Sequence, residues 1–87
     1  MQEETLFEFP CQFPIKIMGL QRDGFREEIV AIGRQMIPGL DERAVQTRDS
    51  RNGKYLAITL TFTATSRAQI DALYRALNDH PDVRMVL

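Results

Sequence analysis

The sequence is poor in the residues that build metal sites and redox centres. Its 87 residues include one cysteine, Cys11, one histidine, His80, and no tryptophan. A single cysteine excludes an internal disulfide and is typical of a reducing compartment. One cysteine and one histidine at opposite ends of a chain cannot supply a structural zinc site and do not favour a catalytic pair. We therefore predict no metal site and no cofactor.

The chain also lacks a strong net charge and a long apolar run. Its formal net charge is -1 at pH 7, so its overall field does not attract nucleic acid or an anionic membrane. No apolar stretch approaches the roughly 20 residues of a membrane span. The N-terminal residues MQEETLFEF carry acids where a secretory signal needs basic residues. We expect a cytoplasmic protein of one domain, with no nucleic-acid partner and no membrane partner.

Hydrophobic periodicity predicts six elements in the order βαββαβ. Alternation over residues 13–18 predicts a strand that Gly19 ends. Apolar residues from Phe25 to Met36 recur at helical spacing, and they predict a helix capped by Asp23 and ended by the following proline and glycine.

The second half of the chain predicts a hairpin, a helix and a short strand. The runs at 44–50 and 55–63 flank Asn52-Gly53, which is typical of a two-residue type I′ turn. Ser66 and Gln69 form a capping-box pattern before the second helix. His80 is expected beside the carboxyl end of that helix, and Pro81 bars its continuation before the final strand.

This order predicts an α+β fold, the ferredoxin-like βαββαβ two-layer sandwich. Its four-stranded antiparallel sheet has the order 4-1-3-2, and both helices cover one face. Residues 1–9 are predicted to be a loosely held lead-in, and residues 10–87 to form the domain. The other sheet face is open, with basic residues and no acid, which predicts a surface for an anionic partner. Its candidate residues are Lys16, Met18, Arg48, Tyr55, Thr59 and Arg84.

The loop GLQRDGFR, from Gly19 to Arg26, leads into a helix N-terminus, where backbone N–H groups favour an anion. It resembles part of the acylphosphatase loop, and that resemblance implies that Arg26 would hold a phosphate. Arg22 replaces a glycine of the acylphosphatase pattern, and the run AVQTRDS has no asparagine to orient a water. We therefore expect no catalysis and an Arg26 side chain that faces solvent.

The run NGKYLAITL resembles the third-strand motif of RNA-recognition domains. Base stacking on such a sheet needs aromatic residues on both central strands. The third strand offers Tyr55 but has Ala57 and Thr59 where a second aromatic should stand, and the first strand offers Lys16 and Met18. We expect no RNA binding.

Motifs spread along the chain resemble the YbeD-like family of small bacterial proteins. They include FPIKIMG at 13–19, GKY at 53–55, SxxQ at 66–69, HP at 80–81 and the ending VRMVL. Members have no known function, have an ACT-like, ferredoxin-like fold, and are often described as lipoate-binding regulatory proteins. The resemblance implies a small non-catalytic regulatory or binding module. It also implies an effector loop near the first strand, which corresponds to Gly19, Arg22, Gly24, Phe25 and Arg26.

Two hypotheses from different classes stay open. The chain binds a small effector, such as a lipoyl or amino-acid-like carboxylate, or it is a protein-interaction adaptor. In the second case it acts through the open sheet face or the edge strand at Ala44–Ser50, for a partner or for a weak homodimer. An acylphosphatase-like hydrolase is a remote third alternative.

Overall fold

A computed structural model describes residues 8–87 of the protein. Its strands form one antiparallel sheet in the order β2-β3-β1-β4, so the predicted fold class and the strand order 4-1-3-2 are confirmed. One turn of 3-10 helix at Glu42–Ala44 precedes β2. The elements are β1 (Cys11–Leu20), α1 (Phe25–Met36), β2 (Val45–Asp49), β3 (Tyr55–Ala64), α2 (Arg67–Asn78) and β4 (Val83–Val86).

The core lies between the two helices and one face of the sheet. Alternate residues of β3 from Leu56 to Ala64 are buried, and the residues between them are half-buried or exposed. This confirms the two faces predicted from the alternation. The largest fully buried side chains come from both layers and are those of Ile15, Ile17, Phe25, Ile29, Ile58, Leu60, Leu73 and Leu77.

Gly19 lies inside β1, which continues to Leu20, so the expectation that this glycine ends the strand is wrong. A Cβ atom at position 19 would lie 2.9 Å from the Phe25 Cε1 atom and 2.6 Å from the Asp82 carbonyl oxygen. Real Cβ contacts below 3.0 Å essentially do not occur. Glycine is therefore required here for space, because the Phe25 ring packs against the bare backbone.

The two helices start in different ways. α1 begins at Phe25 with Gly24 as its N-cap at a φ of 87°, and no side chain of the described residues 8–87 caps it, so the predicted Asp23 cap is wrong. A left-handed glycine already turns the chain into the helix there. The cap predicted for α2 is confirmed, because the Ser66 Oγ accepts a hydrogen bond from the Gln69 N–H at 3.1 Å.

The Gln69 side chain bonds to other backbone groups than the N-cap N–H that a capping box would use. Its Oε1 accepts from the Thr65 N–H at 2.8 Å, one residue before the cap. Its Nε2 donates to the Met36 carbonyl oxygen at 3.1 Å. Gln69 therefore ties the start of α2 to the end of α1.

The β2–β3 hairpin is confirmed, but its predicted two-residue turn is wrong. The Ser50 N–H donates to the Tyr55 carbonyl oxygen at 2.9 Å, which leaves a loop of residues 51–54. Gly53 has a φ of 72°, whereas no non-glycine residue among residues 8–87 has a positive φ, as a type I′ turn would require of Asn52. The Ser50 Oγ accepts from the Tyr55 N–H at 3.0 Å and stabilises the longer loop.

The chain ends flank the central strand. β4 pairs with β1, and their register shifts between Met18 and Gly19. Beyond β4, Leu87 exchanges two backbone hydrogen bonds with Lys16, at 3.0 and 2.8 Å. Of the predicted lead-in, residues 1–7 lie outside the described residues, whereas Phe9 is half-buried and packs against the core.

Candidate functional site

The sheet face away from the helices carries its side chains in cross-strand rows, because directly paired residues of antiparallel strands point to the same side. We call this surface the open face. The pairing of the four strands gives two complete rows, Arg48–Ala57–Met18–Met85 and Gln46–Thr59–Lys16–Leu87, and Tyr55 lies opposite Leu20 beside them.

One part of the open face is concave, with a volume of about 570 Å³. Met18, Ala57 and Tyr55 supply its less polar surface. We call it the basic depression, and its lining residues are Lys16, Met18, Arg48, Asp49, Ser50, Arg51, Tyr55 and Ala57.

Most of the residues proposed for the partner surface come together here. Lys16, Met18, Arg48 and Tyr55 all line the basic depression, and Thr59 lines an adjoining cavity with Lys16 and Arg48. Arg84 does not join them, because it lies on β4, at the opposite edge of the sheet from Arg48. Its Nη1 donates to the Pro81 carbonyl oxygen at 2.8 Å.

Sequence reasoning missed several members of the open face. Met85 and Leu87 are 49% and 64% exposed, and they extend the apolar surface next to Met18. Alternation in VRMVL pointed to them, but the register shift beside Gly19 hid their pairing. Asp49 also lines the basic depression. It pairs with the buried Leu56, so its side chain alternates to the helix-covered face, and its carboxylate accepts a hydrogen bond from the Gln21 amide.

The cations of the basic depression have no partner within the described residues 8–87. Lys16, Arg48 and Arg51 make no ion pair and no side-chain hydrogen bond there. Five of the other seven arginines lie within 4.0 Å of a carboxylate, and Arg84 donates to a carbonyl oxygen, whereas Arg75 makes no ion pair among residues 8–87. The five are Arg22, Arg26, Arg34, Arg43 and Arg67. The basic depression therefore holds positive charge that the protein itself does not neutralise.

The proposed effector loop presents the opposite case. The Arg22 Nη2 lies 2.7 Å from the Glu28 Oε1, and its Nε lies 2.6 Å from the Asp82 Oδ2. Phe25 is fully buried, and Gly19 is buried beneath its ring. The loop residues therefore build the fold, and neither the Arg22 charge nor the Phe25 ring faces an open site.

Arg26 was expected to face solvent, but its guanidinium is engaged. Its Nη2 lies 2.6 Å from the Glu42 Oε1, and this hydrogen bond lowers the pKa of the Glu42 carboxyl below its usual value. Glu42 also lies 3.3 Å from the Arg34 Nη2. The Arg26 charge, which the acylphosphatase resemblance would assign to a phosphate, is thus neutralised inside the chain.

His80 completes the network around Arg22. Its Nδ1 accepts from the Asp82 N–H at 3.1 Å, so the proton of the neutral ring is on Nε2, which lies 2.7 Å from the Glu28 Oε1. Hydrogen bonds from Arg22 and then His80 lower the pKa of Glu28 to about 2. The same hydrogen bonds to Glu28 and Asp82 raise the pKa of Arg22. His80 follows α2 as expected, but its partner Glu28 was not foreseen.

Residues 8–87 contain no group of three histidine, cysteine, aspartate or glutamate side chains placed to hold a metal ion. Cys11 is a free, half-buried thiol at the start of β1. Neither helix of the described chain has the length and apolar character needed to cross a membrane.

Comparison with known proteins gives a family match over nearly the whole chain. A family model described as "Protein of unknown function (DUF493)" matches residues 4–87. UPF0250 protein NE1487 of Nitrosomonas europaea is 51% identical over 87 residues, which are 100% of each chain. A UPF0250 protein of Paraburkholderia phytofirmans is 52% identical over 84 residues, which cover 97% of this chain and 94% of the relative.

A solved structure shares the fold. The solution structure of protein HP0495 from H. pylori superposes with a TM-score of 0.71 at 9% sequence identity, covering 93% of this chain and 85% of that one. At this identity the likeness concerns the arrangement of the backbone alone.

Proposed function

We propose that this chain, which belongs to the DUF493 (UPF0250) family of small bacterial proteins of unknown function, is a non-catalytic binding module whose open face binds an anionic protein partner. The family match confirms the YbeD-like resemblance. The observation that carries it is the set of cations in the basic depression, Lys16, Arg48 and Arg51, which have no partner among residues 8–87.

Free surface cations beside apolar surface suit a protein partner of opposite charge. Exposed charges add little to folding stability, about 0–1 kcal/mol each. They do attract and orient a partner of opposite charge. Met18 and Met85 lie side by side between Arg48 and the far sheet edge, and methionine adapts its shape to different apolar neighbours. A partner that brings carboxylates and apolar side chains together would satisfy both parts of the surface.

The state of the effector loop supports the same choice. A ligand carboxylate at Arg22 would have to displace Glu28 or Asp82, which already bind its guanidinium at 2.7 and 2.6 Å. A phosphate at Arg26 would compete with Glu42 in the same way. These occupied arginines favour a non-catalytic role and favour the open face over the loop.

A small carboxylate, lipoyl or amino-acid-like, is the second candidate partner. The volume of the basic depression, about 570 Å³, falls within the range of about 300–1,000 Å³ common for small-ligand sites. A ligand that binds only the folded chain raises its melting temperature, and the stabilisation grows with the logarithm of the ratio of ligand concentration to Kd. Thermal melts with lipoate and with amino acids test this candidate, and the Lys16→Glu, Arg48→Glu double variant is their control.

Photo-crosslinking tests the protein-partner proposal directly. A benzophenone amino acid replaces Thr59, at the centre of the open face, or Asp71, on the exposed side of α2 as the matched control. The cross-linking is carried out in the bacterial cytoplasm, the location expected from the sequence. We expect a discrete cross-linked protein band from position 59 and none from position 71. Equal bands from both positions, or none from position 59, would contradict the proposal.

A further inference from the structure

β2 is an edge strand with a regular and accessible outer side. Among the strands of residues 8–87 it pairs with β3 alone, and it keeps an unbroken register from Val45 to Asp49. Four of its five residues are exposed, and it contains no proline. Natural proteins commonly protect such edges with proline, bulges or very short strands. β4, at the other edge, is short and carries a register shift, so it has protection that β2 lacks.

The hydrogen-bond pattern shows which backbone groups of β2 point off the sheet. Ser50 bonds to Tyr55 through its N–H, and antiparallel pairs alternate, so Arg48 with Ala57 is the next hydrogen-bonded pair. Thr47 therefore directs its N–H and its carbonyl away from β3.

Val45 and Asp49, two positions on either side of Thr47, should also direct their backbone groups away from β3. The structure agrees at Val45, whose N–H donates to the Glu42 carbonyl oxygen outside the sheet. Within residues 8–87, the outward backbone groups of Thr47 and Asp49 have no partner.

The charges of the β2 side chains determine which charge a strand that pairs with this edge should carry. On the open face β2 carries Gln46 and Arg48, and Arg48 has no carboxylate partner among residues 8–87. The one acid of β2, Asp49, alternates to the other face. A second copy of this chain that paired β2 with β2 would therefore place no carboxylate beside Arg48 in any register.

We propose that the anionic partner is an acidic β-strand that adds to the outer edge of β2, with a carboxylate beside Arg48 and an apolar side chain directed toward the basic depression. This inference rests on the proposed function and names the partner's conformation. Backbone hydrogen bonds to Thr47 and Asp49 supply affinity, and the alternate side chains supply selectivity. Side chains directly opposite each other on neighbouring strands have Cβ atoms about 4.5–5.5 Å apart, within reach of an arginine–carboxylate pair.

The test selects short linear peptides from a displayed random library on the whole protein. We expect the enriched peptides to share a carboxylate with apolar residues at alternate positions. A synthetic peptide of the enriched sequence is then the probe for affinity measurements by fluorescence anisotropy. Enrichment without acidic residues, or without a period of two, would overturn the proposal.

Thr47→Pro tests the strand pairing itself. Its outward N–H takes no part in the β2–β3 ladder, so proline fits an edge strand here while removing the donor to the partner. We expect a loss of affinity of about tenfold or more, with Thr47→Ala as the unaffected control. If Thr47→Pro does not fold, peptides N-methylated at alternate amides replace it. Only methyl groups on the amides that face β2 should then abolish binding.

The outcomes separate this inference from the proposed function. Lys16→Glu with Arg48→Glu should weaken the probe about tenfold or more, and the control Arg67→Glu with Arg75→Glu on α2 should not. If charge reversal weakens binding while proline and N-methylation do not, the strand pairing is overturned and the open face stands. If neither weakens it, both fall. A wild-type homodimer that Thr47→Pro dissociates would also overturn the acidic strand, because it would assign the edge to a second copy.

Discussion

Gly19→Ala tests the contact that joins β1, α1 and the segment before β4. The added methyl group meets the fully buried Phe25 ring and the Asp82 carbonyl oxygen, the latter at 2.6 Å. The carbonyl cannot simply withdraw, because it accepts a hydrogen bond from the Leu20 N–H at 3.1 Å. Overpacking a filled core costs about 1–3 kcal/mol, and the lower entropy of the unfolded alanine chain offsets about 0.4–1 kcal/mol. We expect a net loss of about 1–2 kcal/mol.

Urea unfolding followed by circular dichroism measures this loss, and a double-mutant cycle identifies its source. Phe25→Leu removes the ring atoms that the methyl group meets. We expect Gly19→Ala to cost less in the Phe25→Leu background than in the wild type, by about 0.5 kcal/mol or more. A single variant as stable as wild type, or costs that simply add, would refute the close-approach explanation of Gly19.

Three further changes test the core, the turn and the loop network. Ile58→Ala, at a fully buried position, should lower the unfolding free energy by about 2–5 kcal/mol, whereas Thr59→Ala on the open face should change it by less than about 1 kcal/mol. Equal losses in urea unfolding would contradict the assignment of the two faces. Gly53→Ala should cost about 1–2 kcal/mol, because the φ of 72° disfavours alanine although no described atom from another part of residues 8–87 lies within 4 Å of the added Cβ. An unchanged melting temperature would contradict this. The pKa of Glu28 falls from 4.5 to about 2 on folding, so its contribution to stability is complete above pH 4.5 and is lost as the pH falls toward 2. The difference in unfolding free energy between wild type and Glu28→Gln should therefore shrink from pH 4.5 to pH 2, and a constant difference would refute the network.

Local sequence patterns, namely side-chain alternation and helix capping, were sufficient to predict the fold. The alternation from Tyr55 to Thr63 identified the packed and open faces of β3, and the capping pattern placed the start of α2. These features depend on residues close in sequence, where side-chain period and cap chemistry determine the structure. The same reasoning placed Lys16, Arg48 and Tyr55 on one surface, since only strand order and alternation were needed.

The remaining features depend on contacts between distant residues. Glu28 and His80 are separated by 52 positions, and nothing in either local sequence shows that they bond. The role of Gly19 depends on Phe25 packing against it, which no periodicity reveals. Arg84 does not join the basic depression because it lies on β4, at the other edge of the sheet, where its guanidinium donates to the Pro81 carbonyl oxygen.

The most direct test of the central claim is the yield of the cross-link from position 59 after charge reversal on the open face. We expect Lys16→Glu with Arg48→Glu to lower this yield severalfold, because the partner is attracted by cations that have no partner among residues 8–87. Arg67→Glu with Arg75→Glu, the same charge change on α2, should leave the yield unchanged. Equal yields from the two double variants would contradict the claim that the open face is the binding surface.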